Sequence, residues 1–114
     1  MEFLLLIYDT EKRWTSLNEN EQNSETQGFQ AFGSEFAKAI RGGNALQPTA
    51  TAKTVRVRDG KSLITDGPFA ETKEQLGGYY LVEARDEREA LAMAAKIPWA
   101  RYGSIEVRPI LKFS

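Results

Sequence analysis

Phe3-Leu4-Leu5-Leu6-Ile7-Tyr8 is apolar without interruption, the pattern of a strand covered on both faces. Asp9 and Thr10 end it. Working outward, Ser16 and Glu19 have the spacing of a capping box, in which a serine hydroxyl and a glutamate satisfy free amides at a helix start. Phe29, Phe32, Phe36 and Ile40 then recur at intervals of three and four, one apolar helical stripe. Gly42-Gly43 stops that stripe, so a first helix is expected over roughly 17–41. Its first half, Asn18 to Gln27, is almost wholly polar and Gly28 weakens its middle, so that half should be exposed or frayed.

Beyond Pro48 the texture changes. Thr54-Val55-Arg56-Val57-Arg58 alternates with period two, Asp59-Gly60 follows, and Lys61-Ser62-Leu63-Ile64-Thr65 resumes. An Asp-Gly pair between two such runs predicts a hairpin whose central residues both take positive φ. A second Asp-Gly, at 66–67, precedes Pro68 and predicts a loop. Gly77-Gly78 leads into a third extended segment, Tyr79 to Ala84. Asp86 and Glu89 cap a second helix with Ala90, Leu91, Ala94 and Ala95 on its packing side, ended by Pro98. Ser104-Ile105-Glu106-Val107-Arg108 alternates again as a last strand, with Pro109 at a sheet margin.

The order is β-α-β-hairpin-β-α-β, an α+β sandwich of the ferredoxin-like type with an added hairpin. Right-handed crossovers place both helices on one face of such a sheet. Yet alternate positions of Phe3 to Ile7 are apolar on both sides, so the uncovered face needs a partner, and a second copy of the same chain is the simplest one. A homodimer packed sheet to sheet is expected.

The 114 residues are the length of one domain, taken as 1–114, and 41% hydrophobic residues suffice for one core. Fifteen basic against 16 acidic side chains leave a net charge of -1, which argues against direct nucleic-acid binding driven by bulk charge. With no cysteine and no histidine, disulfide scaffolds, thiolate metal sites, cysteine nucleophiles and the commonest general base are excluded. The apolar run at the start is too short for a membrane span and lacks the cationic start of a signal peptide, so a cytoplasmic protein without membrane contact is expected. No residue demands a cofactor.

Asp66 is the first candidate for chemistry, because a carboxylate ending a strand at a sharp turn can be aimed into a cleft. Its competing role is to cap the turn by accepting amides of residues 68 or 69. Glu71, Lys73 and Glu74 follow within eight residues. Such a cluster offers Asp66 or Glu71 as acid or base, whereas a metal there lacks ligands enough from a single loop. Phe69 is expected to anchor the loop by burying its ring, and Lys73 to meet an anionic ligand. Of Tyr79 and Tyr80, one must face each side of its strand. Tyr8, Arg101 and Tyr102 complete the polar-tipped ligand candidates, while Trp14 and Trp99 are assigned to packing. The expectation is that Asp66, Glu71 and Lys73 converge on a pocket with Tyr79 or Tyr80.

The stretch Thr65-Asp66-Gly67-Pro68-Phe69-Ala70-Glu71-Thr72-Lys73-Glu74 resembles the signature of the DGPF group of YCII-related proteins. Leu46 to Ala52, Thr54-Val55-Arg56, Asp59-Gly60, Leu76 to Tyr80 and Ile105 to Pro109 also match that group, and Phe3 to Tyr8 is a weaker anchor. The resemblance implies a dimeric α+β barrel of ferredoxin-like subunits. It implies a small ligand-binding or regulatory dimer associated with extracytoplasmic-function sigma factors, or alternatively a cofactor-free isomerase- or lyase-like enzyme. The histidine-aspartate pair attributed to other YCII-like proteins has no counterpart in a chain without histidine.

Overall fold

The computed structural model describes residues 1–113. Strand β1 (Glu2–Asp9) leads into a short helix α1 (Glu11–Ser16) and a longer one, α2 (Glu19–Glu35). Next come β2 (Ile40–Ala45), the pair β3 (Lys53–Arg58) and β4 (Lys61–Asp66), then β5 (Gln75–Glu83), α3 (Glu87–Ala94) and β6 (Ser104–Pro109). Four strands form an antiparallel sheet in the order β2-β5-β1-β6, and β3-β4 stands apart as a two-stranded ribbon. With the ribbon set aside, this is the ferredoxin-like α+β arrangement expected from the sequence.

Alternation along β1 explains the layers. Phe3, Leu5 and Ile7 point to the helices and join Val82, Ala84, Phe32, Ala90, Met93, Ala94 and Ile97 in one core. Their neighbours Leu4 and Leu6 point the other way and are only half-buried, beside Tyr79 and Leu81 across the β1–β5 pairing. Helices α2 and α3 therefore cover one face and the other lies open.

The first helix differs from the expectation over 17–41. The chain makes a separate turn of helix at Glu11–Ser16, capped by the Thr10 hydroxyl, and α2 starts only at Glu19. Asn18, not Ser16, caps α2, exchanging hydrogen bonds of 2.8 and 2.9 Å with Glu21 in a reciprocal box. The polar first half is exposed along much of its length but helical, held by this cap. Ile40 belongs to β2, and Gly42-Gly43 lie inside that edge strand instead of ending a helix. The reason is a close approach: a Cβ on Gly43 would lie 2.7 Å from the Tyr79 carbonyl and 2.9 Å from the Tyr80 ring. In α3 the cap by Asp86 and Glu89 forms as expected. Met93 takes the inward place that the sequence reading gave to Leu91, because Ala90, Met93, Ala94 and Ile97 share one helical face.

The β3-β4 turn places Asp59 at φ 52° and Gly60 at φ 74°, the hairpin geometry the dipeptide predicts. Among the described residues, no helix is long and apolar enough to cross a membrane.

Two glycines test this packing in opposite directions. At Gly103 a Cβ would sit 1.9 Å from the Tyr8 carbonyl oxygen, so Gly103→Ala must push β6 off β1 and is expected to cost about 3 kcal/mol or more. Gly33, inside α2, has open space around it, and Gly33→Ala is expected to stabilise by about 0.5–1 kcal/mol. Urea denaturation of both variants checks the signs.

Candidate functional site

A cavity of about 580 Å³ opens between α1, α2 and the β2-β5 edge of the sheet. Trp14, Phe29, Tyr80 and Trp99 supply its aromatic walls. Trp99 meets Trp14 at 5.8 Å between ring centroids and meets Phe29 edge-to-face at 5.7 Å. Glycine makes the room. A Cβ on Gly77 would stand 3.0 Å from the Trp99 ring, so the β5 backbone runs close enough to the indole that a side chain there would press on it. The polar groups of the lining include Asp9, Thr10, Thr26, Asn44 and Gln75. Tyr80 lies against Phe32 at 5.0 Å between centroids, and burial pushes its hydroxyl above the ordinary tyrosine range.

One end of the cavity is fixed by charge. Asp9 continues the inward phase of Phe3, Leu5 and Ile7, which makes it the buried polar residue of the described chain. Its oxygens accept the Thr10 amide at 2.7 Å and the Arg13 Nε. Arg13 then turns its two outer nitrogens to the Glu25 carboxylate at 2.8 and 2.9 Å, a bidentate pair. Glu25 also accepts the Trp99 indole N–H at 2.9 Å, and the guanidinium lies 4.1 Å from the Tyr102 ring centre. The hydrogen bonds it donates to Glu25 hold Arg13 well above the ordinary guanidinium range. Those from Arg13, helped by Trp99, hold Glu25 below the ordinary carboxylate value of 4.5.

The residues singled out from sequence are scattered. Tyr80 and Tyr79 border the cavity, the Tyr79 hydroxyl accepting from Asn44 at 2.9 Å. Tyr8 lies on the opposite phase of β1 from Asp9 and is half-buried. Asp66 does not cap its turn: it pairs with Lys53 across the ribbon and its side chain is 85% exposed. The following amide, from Gly67, goes to the Ala52 carbonyl at 2.7 Å instead. Phe69 is 78% exposed rather than buried, because its loop hangs on the ribbon, through Arg56 to the Phe69 carbonyl at 3.3 Å, with no core beneath. Glu71 and Arg101 are exposed and off the cavity, and Glu74 accepts the Ser104 hydroxyl at 2.8 Å. Lys73 is exposed beside a shallow depression it shares with Thr10, Arg13 and Gln75, next to the cavity mouth. Within one chain, Asp66, Glu71 and Lys73 thus do not converge with the tyrosines. Among the described residues, no three acidic side chains gather as metal ligands would.

Sequence reasoning passed over Asp9, Arg13 and Glu25, and favoured packing for both tryptophans. The signal for Asp9 was present: a carboxylate on the inward phase of an otherwise apolar strand, four residues before an arginine. A carboxylate with a lowered pKa contributes stability that is complete above its unfolded value and lost as pH falls through the folded one. Unfolding free energy should therefore drop below pH 4.5 in wild type. Glu25→Gln should cost about 1–3 kcal/mol at pH 7 and flatten that acid slope, as denaturation at stepped pH would measure.

An uncharacterised protein of Rhizobium meliloti (strain 1021) is 35% identical, the match covering 96% of this chain and 92% of the relative. Among solved structures, the 5-chloro-2-hydroxyhydroquinone dehydrochlorinase of Burkholderia phenoliruptrix AC1100, in complex with 2,5-dihydroxybenzoquinone, superposes with a TM-score of 0.60. That superposition covers 97% of this chain and 94% of the other at 13% identity, a likeness of fold. The YCII-related domain model matches residues 1–114, and the chain belongs to the YCII-related family.

Proposed function

We propose that this chain binds a flat, mainly apolar ring compound in the cavity of each subunit of a homodimer. The observation that carries the reading is the cavity itself. Its 580 Å³ falls within the ~300–1,000 Å³ of small-molecule pockets, and aromatic walls with a few fixed polar groups are the usual composition of such sites. The quinone bound to the structural neighbour is a compound of this shape. Tyr80 lines the site and Tyr79 borders it at the sheet edge. The open sheet face, with Leu4, Leu6, Tyr8, Tyr79 and Leu81, is the surface on which the second copy packs.

Binding is favoured over acid-base catalysis by the placement of the carboxylates. Asp66 and Glu71, the bases of an isomerase- or lyase-like alternative, stand in solvent outside the cavity of their own chain. The carboxylates that do line it are engaged, Asp9 by Arg13 and an amide and Glu11 by the Thr49 amide and hydroxyl. The sigma-factor partner implied by the DGPF resemblance draws no support from the fold or the relatives.

The chain has two tryptophans and both border the cavity, so indole fluorescence reports its occupancy. Titration with 2,5-dihydroxybenzoquinone should quench it saturably and raise the melting temperature. Ala45→Phe, which fills the mouth from the β2 edge, should weaken that binding at least tenfold, about 1.4 kcal/mol. Linear, unsaturable quenching shared by Ala45→Phe would refute the site.

A further inference from the structure

The β3-β4 ribbon touches little of its own chain, and its apolar side chains face solvent. Val55, Val57 and Ile64 share one face and are 61%, 59% and 67% exposed. The opposite face carries Arg56, Arg58, Lys61 and Leu63, the leucine 49% exposed. A lone two-stranded hairpin is marginal in water and needs a surface to lie against. Its base is closed by bonds between its own two strands: the Gly67 amide donates to the Ala52 carbonyl, the Thr54 hydroxyl to the Gly67 carbonyl at 2.8 Å, and Lys53 pairs with Asp66. The arm gives the molecule a radius of gyration of 16.1 Å, against about 13 Å for a compact chain of this length.

We propose that this arm docks on a second copy of the chain, each subunit reaching across to clasp the other; the inference rests on the homodimer reading above. Area argues for it. Four strands at about 4.8 Å spacing and about 20–25 Å length give the open sheet a footprint of roughly 400–500 Å². A stable interface buries about 800 Å² of accessible surface from each partner, so a sheet with this flat footprint is a small platform and the arm enlarges it. Charge agrees. The second face of the arm is basic, while the exposed first turn of α2 carries Glu19 and Glu21 and the helix has neither lysine nor arginine, so two copies offer each other opposite signs. The Val55–Val57–Ile64 face then extends the apolar contact begun by Leu4 and Leu6.

The test compares wild type with Val55→Asp/Ile64→Asp by sedimentation velocity over a concentration series, with circular dichroism as the fold control. These side chains are exposed in the single chain, so the variant should fold and its dimer should weaken at least tenfold. Tryptic cleavage at Lys53, Arg56, Arg58 and Lys61 of wild type should be slow above the dissociation constant and fast below it. A dimer of unchanged strength in the variant, or cleavage of the arm equally fast at every concentration, overturns the arm proposal and leaves the sheet dimer standing. A wild-type monomer at all concentrations overturns both. Arm-dependent retardation of duplex DNA, lost in Arg56→Glu/Arg58→Glu, would overturn it in favour of a nucleic-acid partner.

Discussion

A buried carboxylate at the end of the central strand sets the terms for everything around it. Asp9 sits where the inward phase of β1 demands an apolar side chain, and an unpaired charge there would be prohibitively costly. The guanidinium of Arg13 resolves this by bonding to Asp9 and Glu25 together. Because Glu25 also holds the Trp99 indole, one ion cluster ties the end of β1 to α1, to α2 and to the Pro98–Arg101 turn. The short helix α1 exists to deliver Arg13 to this place, and the Glu11 carboxylate at its start pins Thr49 through two bonds of 2.7 Å.

The cavity follows from the same cluster. With Trp99 held from above by Glu25 and approached from below by the bare backbone of Gly77, the indole has little freedom to collapse into the space beside it. Polar anchoring of an aromatic wall, together with a strand stripped of side chains, keeps open a void that apolar packing alone would fill. None of the exposed signature loop at 65–74 enters the walls of the site.

Periodicity made the architecture readable. The alternation of Ser104 to Arg108, the Asp59-Gly60 turn and the Asp86 cap each encode their element locally, and each forms as read. Ile40 to Ala45 escaped because Gly42-Gly43 stops a helix in isolation, and only the rings of β5 show why an edge strand needs glycine there. The candidate site was less legible for a related reason. The motif at 65–74 is conspicuous as sequence but lies in solvent, whereas Asp9, Arg13 and Glu25 acquire meaning only when three elements meet. Chemistry built from long-range contacts leaves faint traces in any one segment.

The position of β1 also governs the order of events at synthesis. It is the second strand in from one side of the sheet, and it pairs with β5 and β6, so that Phe3 lies opposite Pro109. A nascent chain therefore carries this apolar segment uncovered until β5 and then β6, far downstream, have been made. Such long sequence separation slows sheet closure and leaves a sticky edge exposed. An unpaired apolar strand of this kind is open to mispairing until its neighbours arrive, the cost of setting it in the middle of the sheet.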